Sequence, residues 1–293
     1  MDVFHAGEIE AQRRAGERPV AERIGRMIGA RIPEEAADFV AGQAWAVIAA
    51  GDAHGRLWAS ALLGQPGFLR AAEDGAALVV ERALRADDAD PLRHLTAGAV
   101  IGVLLIEPAT RRRLRVNGTL ATAGPDGSMR IAVREAFPNC PRHITPRALR
   151  LRQAPGTAEL RSSCGEALDA EAMRMIGSAD TIFLATRHAT RGVDASHRGG
   201  AAGFVTCDNE RSIGFIDHRG NSMFNSIGNL LVDPTIAVLV PDFTGGSLLH
   251  VTGRAEVIWP GPDRPARQVR ITVDGWRRSH QASTWQMVAD APE

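Results

Sequence analysis

HGRLWASALLGQPGFL (His54–Leu69) and TRGVDASHRGGAAGFV (Thr190–Val205) decide the fold, because they read as two versions of one motif. Ala59-Ser60 falls over Ala195-Ser196 and Gly67-Phe68 over Gly203-Phe204, all at a spacing of 136 residues. Upstream, AWAVIAA (Ala44–Ala50) lies over DTIFLAT (Asp180–Thr186) at the same spacing. Downstream, AVIGVLLIEP (Ala99–Pro108) matches PTIAVLVPDF (Pro234–Phe243), and LRVNG (Leu114–Gly118) matches LHVTG (Leu249–Gly253), now at 135. A single one-residue gap therefore reconciles about seventy-five residues, which scattered coincidences of Gly and Ala do not produce. The chain reads as one unit written twice.

Within each copy, short β-branched or Leu-rich runs are punctuated by Gly, Asp and Pro, which is strand patterning. The first copy offers Trp45–Ala50, Ala77–Glu81 and Ile101–Ile106. The second offers Thr181–Thr186, Gly203–Cys207, Ile213–Ile216, Thr235–Val240 and Leu248–Ile258. Several runs are continuously apolar rather than alternating, as expected of strands covered on both faces. Strands recurring every ten or so residues fit a small, closed or partly closed antiparallel barrel. Helix is expected after Pro33-Glu34-Glu35, through Phe39 and Val40, and over Leu168–Ile176 with Asp169 as its cap. The resulting expectation is mainly β with a few helices, as two tandem barrels about a pseudo-two-fold. The divisions are an N-terminal barrel with leading helices (1–123), a linker (124–157), a C-terminal barrel (158–275) and a tail (276–293).

Composition excludes several functions. Across 293 residues, 34 basic side chains balance 34 acidic ones, so no global field draws the chain to nucleic acid or to an anionic membrane. Every permanent positive side-chain charge is Arg, and Tyr is absent. Phosphate contacts must therefore come from Arg, a helix N-terminus, or backbone and hydroxyl donors. Cys140, Cys164 and Cys207 are too few and too scattered for a disulfide framework or a zinc site, and no His spacing indicates a metal. Met1–Gly16 lacks an apolar signal core and the longest apolar run, Ala97–Ile106, is half a membrane span, so a cytoplasmic location is expected. RRRLR (Arg111–Arg115) reads as a solvated strand edge.

The densest polar cluster lies in the second copy. RGVDASHRGG (Arg191–Gly200) is expected to precede a strand, and DHRGNSMFNSIGNLLVDP (Asp217–Pro234) to follow the next one. The latter gathers Asn221, Ser222, Asn225, Ser226 and Asn229 beside Arg219 at a turn into a helix, where neutral donors can satisfy phosphate oxygens. The first copy has Asp90, Pro91 and His94 where the second has Asn225, Ser226 and Asn229, and Trp58 opposite Asp194. The fold does not require those polar residues, so a site in copy two alone is expected. The groove of copy one is then vestigial, partly filled by Trp58 and disfavoured for a phosphate by Asp87, Asp88 and Asp90. Pro91 also lacks the backbone N–H that a phosphate cradle uses.

FHAGEIEAQ (4–12), GRLWASALLGQPGF (55–68), FPNCPRHITPR (137–147), GVDASHRGGAAGFV (192–205) and GNSMFNSIGNLLVDP (220–234) together resemble the FMN-binding split β-barrel family of pyridoxamine 5′-phosphate oxidase. They are most similar to an uncharacterised branch of it. The resemblance implies FMN in a groove between two barrels, here supplied by one chain. The implied cofactor-binding set is Asp194, Ser196, His197, Arg198, Asn221, Ser222, Met223, Asn225, Ser226 and Asn229. It implies an oxidoreductase acting on a small molecule; an electron donor such as a reduced nicotinamide or a reductase is expected as partner, and a further homodimer from the tendency of like units to pair. It assigns no catalytic side chain, and GWRRSH (Gly275–His280) only superficially echoes the oxidase's substrate signature. A flavin or haem carrier without turnover, and a flavin-free partner of a reductase, stay open from the residues alone.

Overall fold

The structure, a computed structural model, describes residues 3–81, 83, 90–151, 162–261, 266–280 and 285–289. It opens with two helices that the apolar pattern does not announce, α1 (Ala6–Arg14) and α2 (Arg18–Gly25). α1 starts where a Glu8 carboxyl oxygen accepts the His5 backbone N–H (2.8 Å), and Pro19 sits in the first turn of α2, where its missing N–H costs nothing. After a 3-10 turn at Glu34–Ala36 comes the short α3 (Ala37–Ala41), as its Pro-Glu-Glu start predicts.

The first barrel is built from β1 (Trp45–Gly51), β2 (Leu57–Leu63), β3 (Leu69–Ala71), β4 (Ala77–Val80), β5 (Val100–Glu107), β6 (Arg112–Ala123) and β7 (Met129–Pro138). After it come β8 (Arg147–Leu151), β9 (Ser162–Gly165) and α4 (Ala170–Ser178), capped by Asp169, which accepts from the Ala172 N–H at 2.7 Å. The second barrel comprises β10 (Thr181–His188), β11 (Gly192–Gly199), β12 (Val205–Asn209), β13 (Ser212–Ile216), α5 (Asn225–Val232), β14 (Thr235–Pro241), β15 (Leu248–Ile258) and β16 (Gln268–Ser279). β17 (Trp285–Ala289) pairs with β8 apart from both.

The two sheets run β2-β1-β5-β6-β7-β4-β3 and β11-β10-β14-β15-β16-β13-β12, the same order strand for strand, and all pairs are antiparallel. Registers agree as well: Ala49 faces Ala59 across β1 and β2, and Ala185 faces Ala195 across β10 and β11. β6 and β15 both slip register at equivalent points, Asn117/Gly118 and Thr252/Gly253. The architecture is mainly β, two tandem split barrels about a pseudo-two-fold.

Three apolar clusters hold this arrangement. One fills the first barrel, with Ile48, Leu62, Val103 and Trp58, and one fills the second, with Leu184, Ile213, Val238 and Trp276. The third joins them. Trp45, Val47, Ala49, Leu57, Ala59 and Leu104 meet Phe183, Ala185, Val193, Ala195, Ala237 and Leu239. Alternate residues of β1 thus serve different cores, Ala46, Ile48 and Ala50 facing inward and Trp45, Val47 and Ala49 facing the other barrel. Burial on both faces explains why these strands read as unbroken apolar runs. The barrels approach backbone to backbone at Gly102 of β5, where an added Cβ would lie 2.8 Å from the Val193 carbonyl oxygen and 2.9 Å from the Ala195 nitrogen.

Some expectations are corrected. The 124–157 stretch is more than a linker: it contributes β7, an interior strand of the first sheet, and β8. Arg191–Gly200 precedes a strand, β12, as expected, but is not a loop: it largely forms a strand of its own, β11. The 276–293 tail carries the end of β16 and all of β17. None of the described helices is long and apolar enough to cross a membrane. Gly102→Val should destabilise the chain by about 2 kcal/mol, because backbone and not a flexible side chain must give way. Urea unfolding measures this, with Gly177→Ala as control, since a Cβ there meets nothing and should be neutral or slightly stabilising.

Candidate functional site: an arginine-lined cleft between the barrels

Pairing the barrels through β1, β2, β5 and their counterparts lays β6 of the first against β11 of the second. Arg113 and Arg115, two apart on β6, project to one face, with Leu114 on the other, so both guanidinium groups reach across the junction. The cleft they enter has a volume of about 480 Å3 and, among the described residues, is lined by seven arginines against two carboxylates, Glu17 and Asp217. RRRLR is therefore only partly a solvated edge. Arg111 and Arg112 are exposed, whereas Arg115 is buried at 7% exposure. The alternation of Arg with Leu114 along a strand was the readable signal.

β11 supplies the facing wall. Arg113 Nη1 lies 3.2 Å from His197 Nδ1, and burial, followed by the charges of Arg113 and Arg198, holds the imidazole well below its ordinary pKa. The ring is neutral, so Nδ1 accepts from Arg113 and Nε2 carries the proton. Arg198 Nε donates to Asp217 Oδ1 at 2.7 Å, and Arg267 Nε donates to Asp217 Oδ2 at 2.8 Å. Burial alone would raise the Asp217 carboxyl, yet Arg198 and Arg267 hold it below its usual range. The Arg267 guanidinium stacks over Phe224 (4.7 Å) and Trp259 (5.5 Å), giving the cleft an aromatic side.

The third wall is the start of α5. Its N-cap, Phe224, has φ 62° and makes no side-chain cap, while Asn225, Ser226 and Ile227 line the cleft. The first-turn amides of this helix carry its positive end. Of the four described non-glycine residues with positive φ, three (His143, Ser222 and Phe224) line this cleft, so local strain is concentrated there. Three buried donors in the described residues lack partners: Nε of Arg113, Nε of Arg115 and the Trp259 indole N–H. All three residues line the cleft.

Of the residues singled out from sequence, His197, Arg198, Asn221, Ser222, Asn225 and Ser226 line the cleft. Ser196 lies directly behind, bonded to Ser226 Oγ at 2.8 Å and accepting from Arg198 Nη1 at 3.2 Å. The others are engaged elsewhere. Asp194 is fully buried and receives Arg115 Nη1 at 2.9 Å, with Asn117 Nδ2 at 3.3 Å; burial pushes its carboxyl up against the pull of Arg115. Met223 is 0% exposed and packs with Phe4, Ala21 and Phe137. Asn229 turns away from the cleft, donating to Thr186 Oγ1 at 3.0 Å and lying 2.9 Å from His5 Nε2. Asn225 is half committed too, giving its amide N–H to Glu8 Oε1 at 2.6 Å while its oxygen accepts from Arg115.

These commitments follow from α1, one of the leading helices, whose bounds sequence patterning did not place. α1 lies on α5 so closely that a Cβ on Gly228 would sit 2.5 Å from Glu8 Cα, and one on Gly7 would sit 2.2 Å from the Gly228 oxygen. At that junction burial pushes Glu8 up to about 7 and His5 down to about 4, so neither group favours its charged form there. Glu17, Arg142, His143, Arg267 and Trp259 also join the cleft without having been singled out. Cys140 lines it as well.

The equivalent groove of the other pairing is built differently. Strand register puts Ala61 and Leu62 where β11 has His197 and Arg198, and Leu248 and His250 where β6 has Arg113 and Arg115. His250 Nδ1 bonds the Ala59 oxygen at 2.8 Å, and Trp58, 1% exposed, sits under Arg277 at 5.9 Å. Asp90–His94 forms turns where the second barrel has α5, and Asp90 is buried with its Oδ1 accepting from the Leu92 N–H. Asp87 and Asp88 lie outside the described residues.

No protein-family model and no curated protein matches the chain. Among solved structures it is similar to a provisionally named pyridoxamine 5′-phosphate oxidase from Lactobacillus delbrueckii, at 15% identity and a TM-score of 0.33 over 38% of this chain and 94% of that one. It is similar also to an FAD-binding protein from Mesorhizobium loti (14%, TM-score 0.30, 42% of this chain and 99% of that one). A third is the Clostridium acetobutylicum protein related to general stress protein 26, of the pyridoxinephosphate oxidase family (11%, TM-score 0.30, 41% and 92%). At these identities and scores the likeness says nothing of ligand or reaction, and the fold stands on the strand order itself.

The Arg115–Asp194 pair links the barrels through a buried charge on each side. Asp194→Ala should therefore cost about 3 kcal/mol by leaving Arg115 unpaired, while Asp194→Leu with Arg115→Met should recover most of that loss. Urea unfolding of the three proteins checks this; a double variant no more stable than Asp194→Ala would contradict it.

Proposed function

We propose that the cleft holds FMN and that the chain is a flavoprotein oxidoreductase of the pyridoxamine 5′-phosphate oxidase-like type, acting on a small molecule. The observation that carries this reading is the excess of arginine among the described lining residues, seven against two carboxylates, at a junction where three buried donors lack partners. Uncompensated buried donors are costly, and an anionic, acceptor-rich ligand supplies what they lack. A phosphate dianion suits the start of α5, with Ser226, Arg198 and Arg113 around it. The aromatic side formed by Phe224, Trp259 and the stacked Arg267 suits a flat ring system, and a volume of about 480 Å3 is in the range of cofactor pockets.

When bound, FMN supplies two-electron redox chemistry, for which the side chains need provide no acid–base dyad. The residues of this chain bind and orient. Arg113 and Arg115 come from one barrel and Arg198 from the other, so the site exists only while the barrels are paired. Asp217 holds Arg198 and Arg267 in place, and neutral His197 offers a donor at Nε2 without adding charge. The matching strand order and constant residue spacing support descent of both barrels from one duplicated unit.

The purified chain should take up FMN and show a flavin spectrum that bleaches under a reductant and returns in air. Arg198→Ala and Arg113→Ala should each weaken FMN by about tenfold or more, the loss of one charge-assisted contact. A chain that ignores added FMN, or variants from both barrels that bind it as tightly as the parent, would overturn the proposal.

A further inference from the structure

Beside the arginine-lined cleft lies a second one of about 510 Å3, and the two share Asn139, Cys140, Arg142 and Arg219. Its far wall belongs to α2 and the turn after it, where Val20, Ile24 and Met27 line the space. Positions i, i+4 and i+7 fall on one helix face, so these side chains form an apolar stripe. Met27 is 52% exposed, and Val20 and Ile24 are only half-buried. The opposite rim is cationic. Arg142 is exposed with no carboxylate partner among the described residues, and Arg219 meets only Glu17, at 3.1 Å, with its own side chain 70% exposed.

We infer that this second cleft is the substrate site, and that it takes a small amphipathic anion with its apolar body on Val20, Ile24 and Met27 and its acidic head at Arg142. The inference rests on the cofactor reading above, because the shared Asn139–Cys140 segment then places the substrate alongside the flavin. An apolar stripe facing water is unfavourable and an exposed arginine rim attracts anions, so the two features together select for a ligand bearing both characters. A fully polar sugar phosphate would leave the stripe wet, and a neutral hydrocarbon would leave Arg142 unanswered.

Calorimetric titration of decanoate into the FMN-saturated chain tests this, with retained flavin absorbance read in the same sample. One decanoate should bind without displacing FMN, and decanol should bind about tenfold more weakly. Met27→Glu, at an exposed position that folding tolerates, should lose about tenfold in decanoate affinity while its flavin content is unchanged. Arg142→Ala should lose a similar factor. Decanoate that fails to bind, that displaces FMN, or that binds Met27→Glu and Arg142→Ala like the parent overturns the assignment. Should the chain retain no FMN, the same titration on the flavin-free protein still reads this cleft, so the two readings fail separately.

Discussion

The structure depends on one apolar contact, the face of β1, β2 and β5 laid against the face of β10, β11 and β14. Burying aliphatic and aromatic surface stabilises by about 25 cal/mol per Å2, and the side chains of this junction are buried as deeply as those of the two barrel cores. Its small residues, Ala49, Ala59, Ala185, Ala195 and Gly102, set how near the strands approach. Because the contact is close, the next strand out on one side, β6, reaches the edge strand on the other, β11. Arg113 and Arg115 then find His197 and Asp194, and the polar cleft is a by-product of the apolar packing beneath it.

Like units paired about a two-fold present two equivalent grooves, and this chain has made them unequal. One groove carries arginines from both barrels and a helix start. The other carries Ala61, Leu62 and Leu248 at the matching places, a turn instead of the helix, and His250 bound to a backbone oxygen. A covalently joined pair is free to diverge in this way, since each half has its own sequence. α1 adds to the asymmetry by docking on α5, where Gly7 and Gly228 permit contact that a Cβ on either would block.

The repeat, the strands and the two-barrel plan were legible because a constant spacing and a both-faces-buried pattern survive in one dimension. Leading helices were expected, but the bounds of α1 and α2 were not legible, because their apolar faces are interrupted by Arg and Glu and are fixed by tertiary contact with α5 and β7. The site was half legible. Turn chemistry pointed to Asn221–Asn229, and the cleft indeed opens at Asn221, Ser222, Asn225 and Ser226. But Asn229 and Met223 sit on helix or turn faces that point into the protein, which spacing alone along the turn did not resolve. Asp194 shares its strand with His197 and Arg198 but meets Arg115 instead of the cleft, and a partner 79 residues away leaves no local signature. Arg113 and Arg115 were read as edge residues for the same reason: what buries them is the other barrel.

The central claim is that pairing two like barrels has left one competent groove per chain. It is tested most directly by titrating FMN into the flavin-free protein at a concentration well above the dissociation constant, following the quenching of flavin fluorescence. Saturation at one equivalent per polypeptide is the predicted result. Saturation at two equivalents of similar affinity would mean that the groove lined by Ala61, Leu62 and Leu248 binds flavin as well, and would contradict the account.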